Sequence, residues 1–336
     1  MDTLIGLLII AAGSFGQSSS YVPINKVKNW SWESFWLTQG LFAWLIFPFL
    51  GALLAVPEGS SLLQVLSVDS TAALKAMFFG VLWGVGGLTF GLSMRYLGVA
   101  LGQSIALGTC SAFGTVIPAI IKGTDLFSGD GLILLTGVCI TIAGIAVIGY
   151  AGSLRAKNMS DEDKRKAIKD FALTKGLFVA LLAGIMSACF ALGLQAGESL
   201  VVVGANDLFK ALPATLMVTI GGFITNAIYC LIQNMKNKSF GDYGKKSLLA
   251  NNLFFCSLAG LLWYSQFFGF SMGKSYLESG SIMEAFSWSI LMALNITFSN
   301  VWGIILKEWK GVSKITIFVL SIGLIILIFS LVYPNL

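Results

Sequence analysis

One stretch of this sequence occurs twice and sets the expectations for the fold. LWGVGGLTFGLSMRYLGVALGQSIALG occupies residues 82–108, and LWYSQFFGFSMGKSYLESGSIMEAFSW occupies residues 262–288. Both copies open with Leu-Trp, and both reach the pattern Phe-Gly-x-Ser-Met, at residues 90–94 and 268–272. The second copy is two residues shorter between these two marks. The shared order of the marks indicates an internal repeat.

The composition predicts a polytopic membrane protein. Of the 336 residues, 56% are hydrophobic and only 11% are charged, and the mean hydropathy is +0.85. One soluble core could not bury that much apolar surface. A membrane-spanning helix needs about 20 mostly apolar residues. Ten such segments are predicted, at residues 3–22, 34–56, 74–94, 99–121, 131–152, 176–197, 209–233, 249–273, 282–305 and 313–333.

The basic residues predict an orientation. Of the 21 lysines and arginines, 17 fall in the odd-numbered connections between these segments. The positive-inside rule therefore places the odd connections in the cytoplasm and both termini outside. This placement accounts for the net charge of +5 without a nucleic-acid partner. The N-terminal segment lacks a basic leader and a cleavage site, so we expect it to stay in the protein.

The repeat and the charges together predict the architecture. A charged cytoplasmic linker, residues 153–175, separates two halves of five segments each, residues 1–152 and 176–336. With an odd number of spans per half, the second half must cross the membrane in the opposite sense. We therefore predict an all-α polytopic membrane protein with ten transmembrane helices arranged as two inverted five-helix repeats. Inverted repeats are typical of secondary transporters, whose substrate site lies near the midplane between the repeats.

Several classes of chemistry have no support in the sequence. The five cysteines are scattered singly and there is no histidine, so neither a zinc site nor a Ser-His-Asp or Cys-His nucleophile is expected. We predict no metal and no cofactor, with carboxylates as the carriers of any proton. A membrane enzyme and a non-transporting sensor are the alternatives from other classes, and the sequence has neither a phosphate-binding loop nor a soluble output domain. No obligate protein partner is evident.

Five motifs resemble those of a known family. They are KVKNWSWESFW at residues 26–36, LWGVGG at 82–87, MRYLG at 94–98, WYSQFF at 263–268 and LKEW at 306–309. In this order they resemble the L-rhamnose/proton symporter family of bacterial inner membranes, within the drug/metabolite transporter superfamily. The resemblance runs along the full chain. It implies ten helices in two five-helix repeats and import of a 6-deoxyhexose together with protons.

The sugar-contact candidates follow from the chemistry of sugars. Hydroxyls are recognised by Gln, Asn, Tyr and Ser, while the C–H face stacks on aromatic rings. Trp83 and Trp263 occupy corresponding places in the two copies, although a position at the membrane interface is the alternative. Gln266 would be costly facing lipid, whereas other polar side chains could merely bridge helices. The candidates are Gln266, Trp263, Tyr264, Trp83, Gln103, Gln17, Gln39, Asn226 and Trp288.

Glu284 is the candidate for proton coupling. It lies inside the ninth apolar segment, and a coupling carboxylate must be partly buried within the membrane. The resemblance also implies an acidic residue four positions before the tryptophan of a Ser-Trp pair, here Ser287-Trp288. The alternative is an ordinary acid at a helix start. For Glu33 we expect a structural role beside a Ser31 cap.

The sequence thus predicts a secondary active transporter that imports a small sugar, L-rhamnose or a related 6-deoxyhexose, with protons by alternating access. Its expected partners are the sugar and the lipid bilayer. The alternative within the transporter class is a facilitator or exporter of another metabolite without this coupling.

Overall fold

The computed structural model describes residues 2–158 and 172–333. Every regular element in these two ranges is helical. The long helices are α1 (Asp2–Ser19), α2 (Trp32–Leu53), α3 (Ser70–Leu97), α4 (Val99–Ile121), α5 (Gly129–Asn158), α6 (Leu173–Ala196), α7 (Leu212–Asn237), α8 (Lys246–Lys274), α9 (Ile282–Ile305) and α10 (Lys314–Val332). Each predicted apolar segment overlaps one of them.

Within the described residues, nine helices are long and apolar enough to cross a membrane. These are α1 to α9, and the apolar part of α10 is shorter. The prediction of a multi-pass, all-helical membrane protein is therefore confirmed. Most of the predicted linker, residues 159–171, lies outside the described residues.

Serine side chains begin several helices, as the sequence predicts for α2. The Ser31 hydroxyl accepts a hydrogen bond from the Ser34 N–H, and Ser281 does the same for Glu284 at the start of α9. Each serine accepts a hydrogen bond from one of the backbone N–H groups that have no carbonyl partner within the first turn of a helix. Gly98 alone separates α3 from α4, with a φ of 85° that favours glycine.

Helix α2 is irregular in its middle. Its central segment, Leu41–Ile46, is π-helical, and the Phe47 N–H donates to the Phe42 carbonyl, five residues back. Pro48 follows within the next turn. In a regular α-helix the proline ring would clash with the carbonyl of the residue four positions earlier, and the wider π turn gives this ring room.

The chain forms two compact units, each drawing on both predicted halves of the sequence. Among the described residues, the first unit comprises residues 2–85 and Leu192–Tyr276, and the second comprises residues 86–158, 172–191 and 277–333. Helices α3 and α6 contribute to both units. The division of the sequence into two five-helix repeats stays a prediction.

Glycines bring the helices of the first unit into close contact. Along α1 and α8, Gly13 faces Gly269, and a Cβ placed on Gly269 would lie 3.1 Å from the Gly13 Cα. Helix α2 packs against both α7 and α8. Gly84 of α3 lies against Thr225 of α7, where a Cβ would come within 2.6 Å of the threonine Cβ. Small residues at such places let helix backbones approach each other.

In the second unit, α4 packs against α9, and α5 packs against α10 and α4. Gly144 of α5 and Gly323 of α10 face one another, with 3.1 Å between a Cβ built on Gly323 and the Gly144 carbonyl oxygen. The α4–α9 contact differs, because paired polar side chains line it, as described below.

Candidate functional site

Three tryptophans meet inside the first unit. The rings of Trp83 and Trp263, the pair expected from the repeat, have centroids 5.7 Å apart and are tilted by 36°. Trp44 of α2 lies edge-on to both, at 5.8 Å from Trp83 and 6.0 Å from Trp263. All three side chains are buried. We call this cluster of Trp44, Trp83 and Trp263 the tryptophan triangle.

Glycines make room for the rings of the triangle. A Cβ on Gly222 of α7 would overlap the Trp83 ring, and one on Gly40 would lie 2.6 Å from the Trp44 ring. Neither ring could keep its place if these glycines carried ordinary side chains. The burial of Trp83 and Trp263 within the unit is unlike the wet, half-exposed position of interface tryptophans.

A fourth tryptophan is tied into the protein framework. Trp36 lies two turns before Trp44, with ring centroids 5.7 Å apart. Its Nε1–H donates to the Asn226 Oδ1 at 2.8 Å, while the Asn226 amide donates to the carbonyls of Gly84 and Gly222. Asn226 therefore bridges α2, α3 and α7, which was the alternative to its predicted role as a sugar contact.

Three other polar atoms of the first unit are buried without a partner among the described residues. No described residue hydrogen-bonds the Gln39 Oε1, the Trp44 Nε1 or the Tyr264 hydroxyl, and these side chains are only 3%, 2% and 4% exposed. A Cβ on Gly51 of α2 would overlap the Tyr264 hydroxyl, so this hydroxyl lies directly beside α2. A buried polar group left without a partner costs about 1–3 kcal/mol, which a polar ligand could recover.

The other two predicted glutamines of the first unit, Gln266 and Gln17, bond to neighbours in their own helices. Gln266 donates through Nε2 to the Trp263 carbonyl at 3.2 Å. Gln17 accepts from the Ser18 hydroxyl at 3.3 Å. Both are buried. The sugar contacts of Gln266 and Gln17 stay predictions.

Three predicted site residues belong to the second unit. Gln103 accepts a hydrogen bond from the Ser299 hydroxyl, across the contact between α4 and α9. Trp288 stacks on Phe190, with centroids 6.0 Å apart and planes 18° from parallel. Thus the first unit brings Trp83 and Trp263 into contact and also contains Gln17, Gln39, Asn226, Tyr264 and Gln266, whereas Gln103, Trp288 and Glu284 lie in the other unit.

Glu284 lies in the first turn of α9 and is partly buried. Its backbone N–H donates to the Ser281 hydroxyl at 3.2 Å, and its carboxylate accepts from the Gly280 N–H at 2.8 Å. A carboxylate in this place also favours the positive end of the helix dipole. The contacts are those of a helix-start acid, and they hold the carboxylate against the loop that precedes α9.

Glu33 and Asp242 are buried carboxylates of the first unit. The Glu33 Oε1 accepts from the Asn237 amide at 2.9 Å and from the Ser239 hydroxyl at 2.7 Å. Nearby, Asp242 accepts from the Ser31 N–H at 2.7 Å and from Lys245 at 2.6 Å. Partial burial acts to raise the pKa of Asp242, but the bonds from Lys245 and Ser31 outweigh it and lower this pKa below its ordinary value. These contacts tie the start of α2 to the turn between α7 and α8.

Two residues of this region, Trp44 and Trp36, were not predicted as site residues. Both are buried tryptophans on α2, and their number in one apolar segment was the available signal. As for metals, the described residues contain no group of three or more His, Cys, Asp or Glu side chains that could hold an ion.

Comparison with known proteins identifies the family. The model of the family described as L-rhamnose-proton symport protein (RhaT) matches residues 2–333. Proteins named L-rhamnose-proton symporter from Yersinia pestis (strain Pestoides F) and Yersinia pseudotuberculosis serotype O:3 (strain YPIII) are each 34% identical over 339 residues, covering 97% of this chain and 96% of the relative. The family is one of transporters, not enzymes. The chain belongs to the L-rhamnose-proton symport protein family, as its motifs predicted.

Proposed function

We propose that this protein imports L-rhamnose, or a closely related 6-deoxyhexose, together with protons across a bacterial inner membrane. The family and the names of the relatives supply the substrate and the coupling ion. The tryptophan triangle is the structural observation that carries the proposal. A 6-deoxyhexose has a methyl group and an apolar C–H face, which aromatic rings bind, and hydroxyls, which need polar partners.

The first unit has both kinds of partner in one region. Trp83 and Trp263 offer aromatic surface, and Tyr264 adds a buried hydroxyl without a partner in the described part of the chain. In the apolar interior of a membrane protein, such a polar atom is costly until it is bonded. Sugar hydroxyls would satisfy it, whereas a purely apolar substrate would leave the cost in place. The region therefore favours a polar ligand with one apolar face.

Glu284 is the proposed proton carrier. In its charged form the carboxylate accepts the Gly280 N–H and favours the helix dipole. Protonation would weaken both interactions and so loosen the loop before α9. A proton bound here would thus change the protein's conformational energy, which coupling to transport requires.

The proposed topology has ten spans in two inverted repeats, with both termini outside. Support comes from helices five positions apart in the chain, because α2 packs on α7, α4 on α9 and α5 on α10. Such pairs are expected when two five-helix repeats are related by a two-fold axis in the membrane plane. Transport would proceed by alternating access, with no cofactor beyond the proton and no obligate protein partner.

Uptake in proteoliposomes tests the function. Wild-type protein should accumulate L-rhamnose when the pH gradient is imposed, and only equilibrate it without the gradient. A panel of sugars in a thermal-stability assay identifies the substrate, since a ligand raises the melting temperature according to its affinity. Equal uptake with and without the gradient, or stabilisation by another metabolite only, would contradict the proposal in favour of a facilitator or exporter.

Glu284→Gln tests the coupling. Glutamine keeps an acceptor for the Gly280 N–H but has no titratable group, so L-rhamnose exchange should persist while gradient-driven accumulation is lost. Glu33→Gln is the matched control, since Glu33 is a buried carboxylate with hydrogen bonds to Asn237 and Ser239. It should retain accumulation. If Glu284→Gln accumulated sugar as well as wild type, the coupling role of Glu284 would be excluded.

A further inference from the structure

The π-helical segment of α2 determines where Trp44 points. In a regular α-helix each residue turns by about 100°, so residues eight apart differ by about 80° around the axis. The π turn accommodates one extra residue, which reduces the offset between Trp36 and Trp44 to about 20°. It similarly reduces the angle around the helix axis between Gln39 and Trp44, which are five residues apart, from about 140° to about 40°. The irregular segment Leu41–Ile46 thus places Trp44 on the same side of α2 as Gln39.

Trp44 and Trp36 differ in one decisive respect. Both are buried tryptophans of α2 and their rings contact each other. The Trp36 N–H is held by Asn226 at 2.8 Å, whereas no described residue accepts from the Trp44 N–H. Indole N–H groups usually find an acceptor when buried, so the Trp44 donor indicates an acceptor that the described residues do not supply, such as a bound ligand.

The surroundings of Trp44 specify the kind of acceptor. Its ring is edge-on to Trp83 and Trp263, and the Gln39 Oε1 on the same side of α2 also has no described partner. One ligand that meets all of these groups must have an apolar face, an acceptor and a donor. A sugar hydroxyl is both donor and acceptor.

We infer that Trp44 is a substrate-binding residue whose indole N–H donates a hydrogen bond to one hydroxyl of the sugar. Trp44 then contributes to selectivity, because a site built to bond a hydroxyl discriminates against an analogue that lacks it. The inference rests on the proposed function, since the sugar is the expected ligand. It adds a donor that the sequence pattern did not predict.

Titration calorimetry in lipid nanodiscs tests the inference with L-rhamnose as the probe. Trp44→Phe keeps an aromatic ring but removes the donor, and we expect the affinity to fall about tenfold. Trp36→Phe is the matched control on the same helix. It should change the affinity less than about twofold and lower the melting temperature, because Asn226 loses its donor.

Singly deoxygenated L-rhamnose analogues identify the hydroxyl. One analogue should lack the hydroxyl that Trp44 binds. Wild type should bind this analogue more weakly than L-rhamnose, by about the same factor by which Trp44→Phe weakens the binding of L-rhamnose. Trp44→Phe should bind this analogue and L-rhamnose with nearly the same affinity. The inference would be overturned if Trp44→Phe bound L-rhamnose as tightly as wild type does. It would also be overturned if every analogue lowered the affinity of Trp44→Phe by the same factor as it lowers the affinity of wild type. If Trp44→Phe does not fold, benzothienylalanine at position 44 keeps the bicyclic ring without the N–H and is judged by the same criteria. Failure of wild type to bind L-rhamnose would instead overturn the proposed function and the inference with it.

Discussion

The tryptophan triangle of the first unit and the α4–α9 contact of the second are both buried, but they use polar groups differently. Around the triangle, Gln39, Trp44 and Tyr264 each keep a polar atom without a described partner. Along α4 and α9 most polar side chains bond one another: Gln103 with Ser299, Ser104 with Asn300, and Ser111 and Thr115 with Ser289. Only the Asn300 Oδ1 among the atoms of these seven side chains has no described partner.

The difference separates stabilisation from recognition. Hydroxyl and amide pairs between neighbouring helices act as glue within a membrane protein. Polar atoms that the fold leaves without partners destabilise it slightly, and they gain most when a ligand arrives. We therefore expect substitutions near the triangle to affect sugar binding, and substitutions along the α4–α9 contact to affect stability.

The largest expected effect comes from removing the space for Trp83. In Gly222→Ala the new methyl group would overlap the Trp83 ring, so the ring must move and the triangle is lost. We expect the L-rhamnose uptake rate in proteoliposomes to fall by about 100-fold. Gly149→Ala is the control, since a Cβ there meets nothing within 4 Å, and its uptake should equal that of wild type. Normal uptake by Gly222→Ala would show that the triangle is dispensable.

An intermediate effect should distinguish two buried glutamines. Gln39→Leu removes a side chain whose Oε1 has no described partner, and Gln103→Leu removes the acceptor of the Ser299 hydroxyl. We expect Gln39→Leu to weaken L-rhamnose binding about tenfold without lowering the melting temperature of the sugar-free protein. Gln103→Leu should lower the melting temperature of the sugar-free protein and leave its affinity for L-rhamnose unchanged.

Calorimetry and thermal unfolding measure the two quantities on the same samples. If Gln103→Leu were the variant that lost affinity while keeping its melting temperature, the predicted sugar contact at Gln103 would be supported, and the contrast between the two regions would be wrong.

The smallest expected effect lies away from the triangle, in a part of the first unit where the polar groups are paired. Asp242→Asn removes the charge that binds Lys245 at 2.6 Å, and the melting temperature at pH 7 should fall by about 1–2 °C. The pKa of Asp242 is lower in the folded protein than its ordinary value. The stability it adds is therefore present above the ordinary pKa of about 3.9 and lost as the pH falls through the folded value.

Thermal unfolding between pH 7 and pH 3 measures this difference. Asp207→Asn serves as the control, since the pair of Asp207 and Lys210 is longer, 3.7 Å, and more exposed. It should change the melting temperature by less than about 0.5 °C. A difference between wild type and Asp242→Asn that grew toward low pH would contradict the assignment.

Hydropathy predicted the spans because lipid forces each crossing segment to satisfy its backbone within one apolar helix. The cap at Ser31 was predicted for a similarly local reason, and the structure confirms it. For Trp83 and Trp263 the sequence predicts corresponding positions in the two copies of the repeat, but it does not predict the contact between their rings. The choice of helices for each unit is a tertiary property, and hydropathy contains little information about it.

Trp44 escaped prediction for a physical reason. The regular helical period places it about 80° from Trp36, and only the π turn at Leu41–Ile46 brings the two together. Asn226 was predicted as a sugar contact because it is polar within a span. Its hydrogen bonds to Trp36, Gly84 and Gly222 depend on three helices, and no single segment indicates them.

The close packing of α1 on α8 also affects how the protein is made. Helix α1 leaves the ribosome before the other described helices, but its partner is complete only at Lys274. At ordinary translation rates of about 5–20 residues per second, α1 waits roughly 10–50 s for that partner. During this time its glycine-rich face, with Gly6, Gly13 and Gly16, is covered by lipid or by the insertion machinery. Assembly of the first unit is therefore a late event of biosynthesis, and a nascent chain that stops before α8 leaves that face exposed to the quality-control proteases of the membrane.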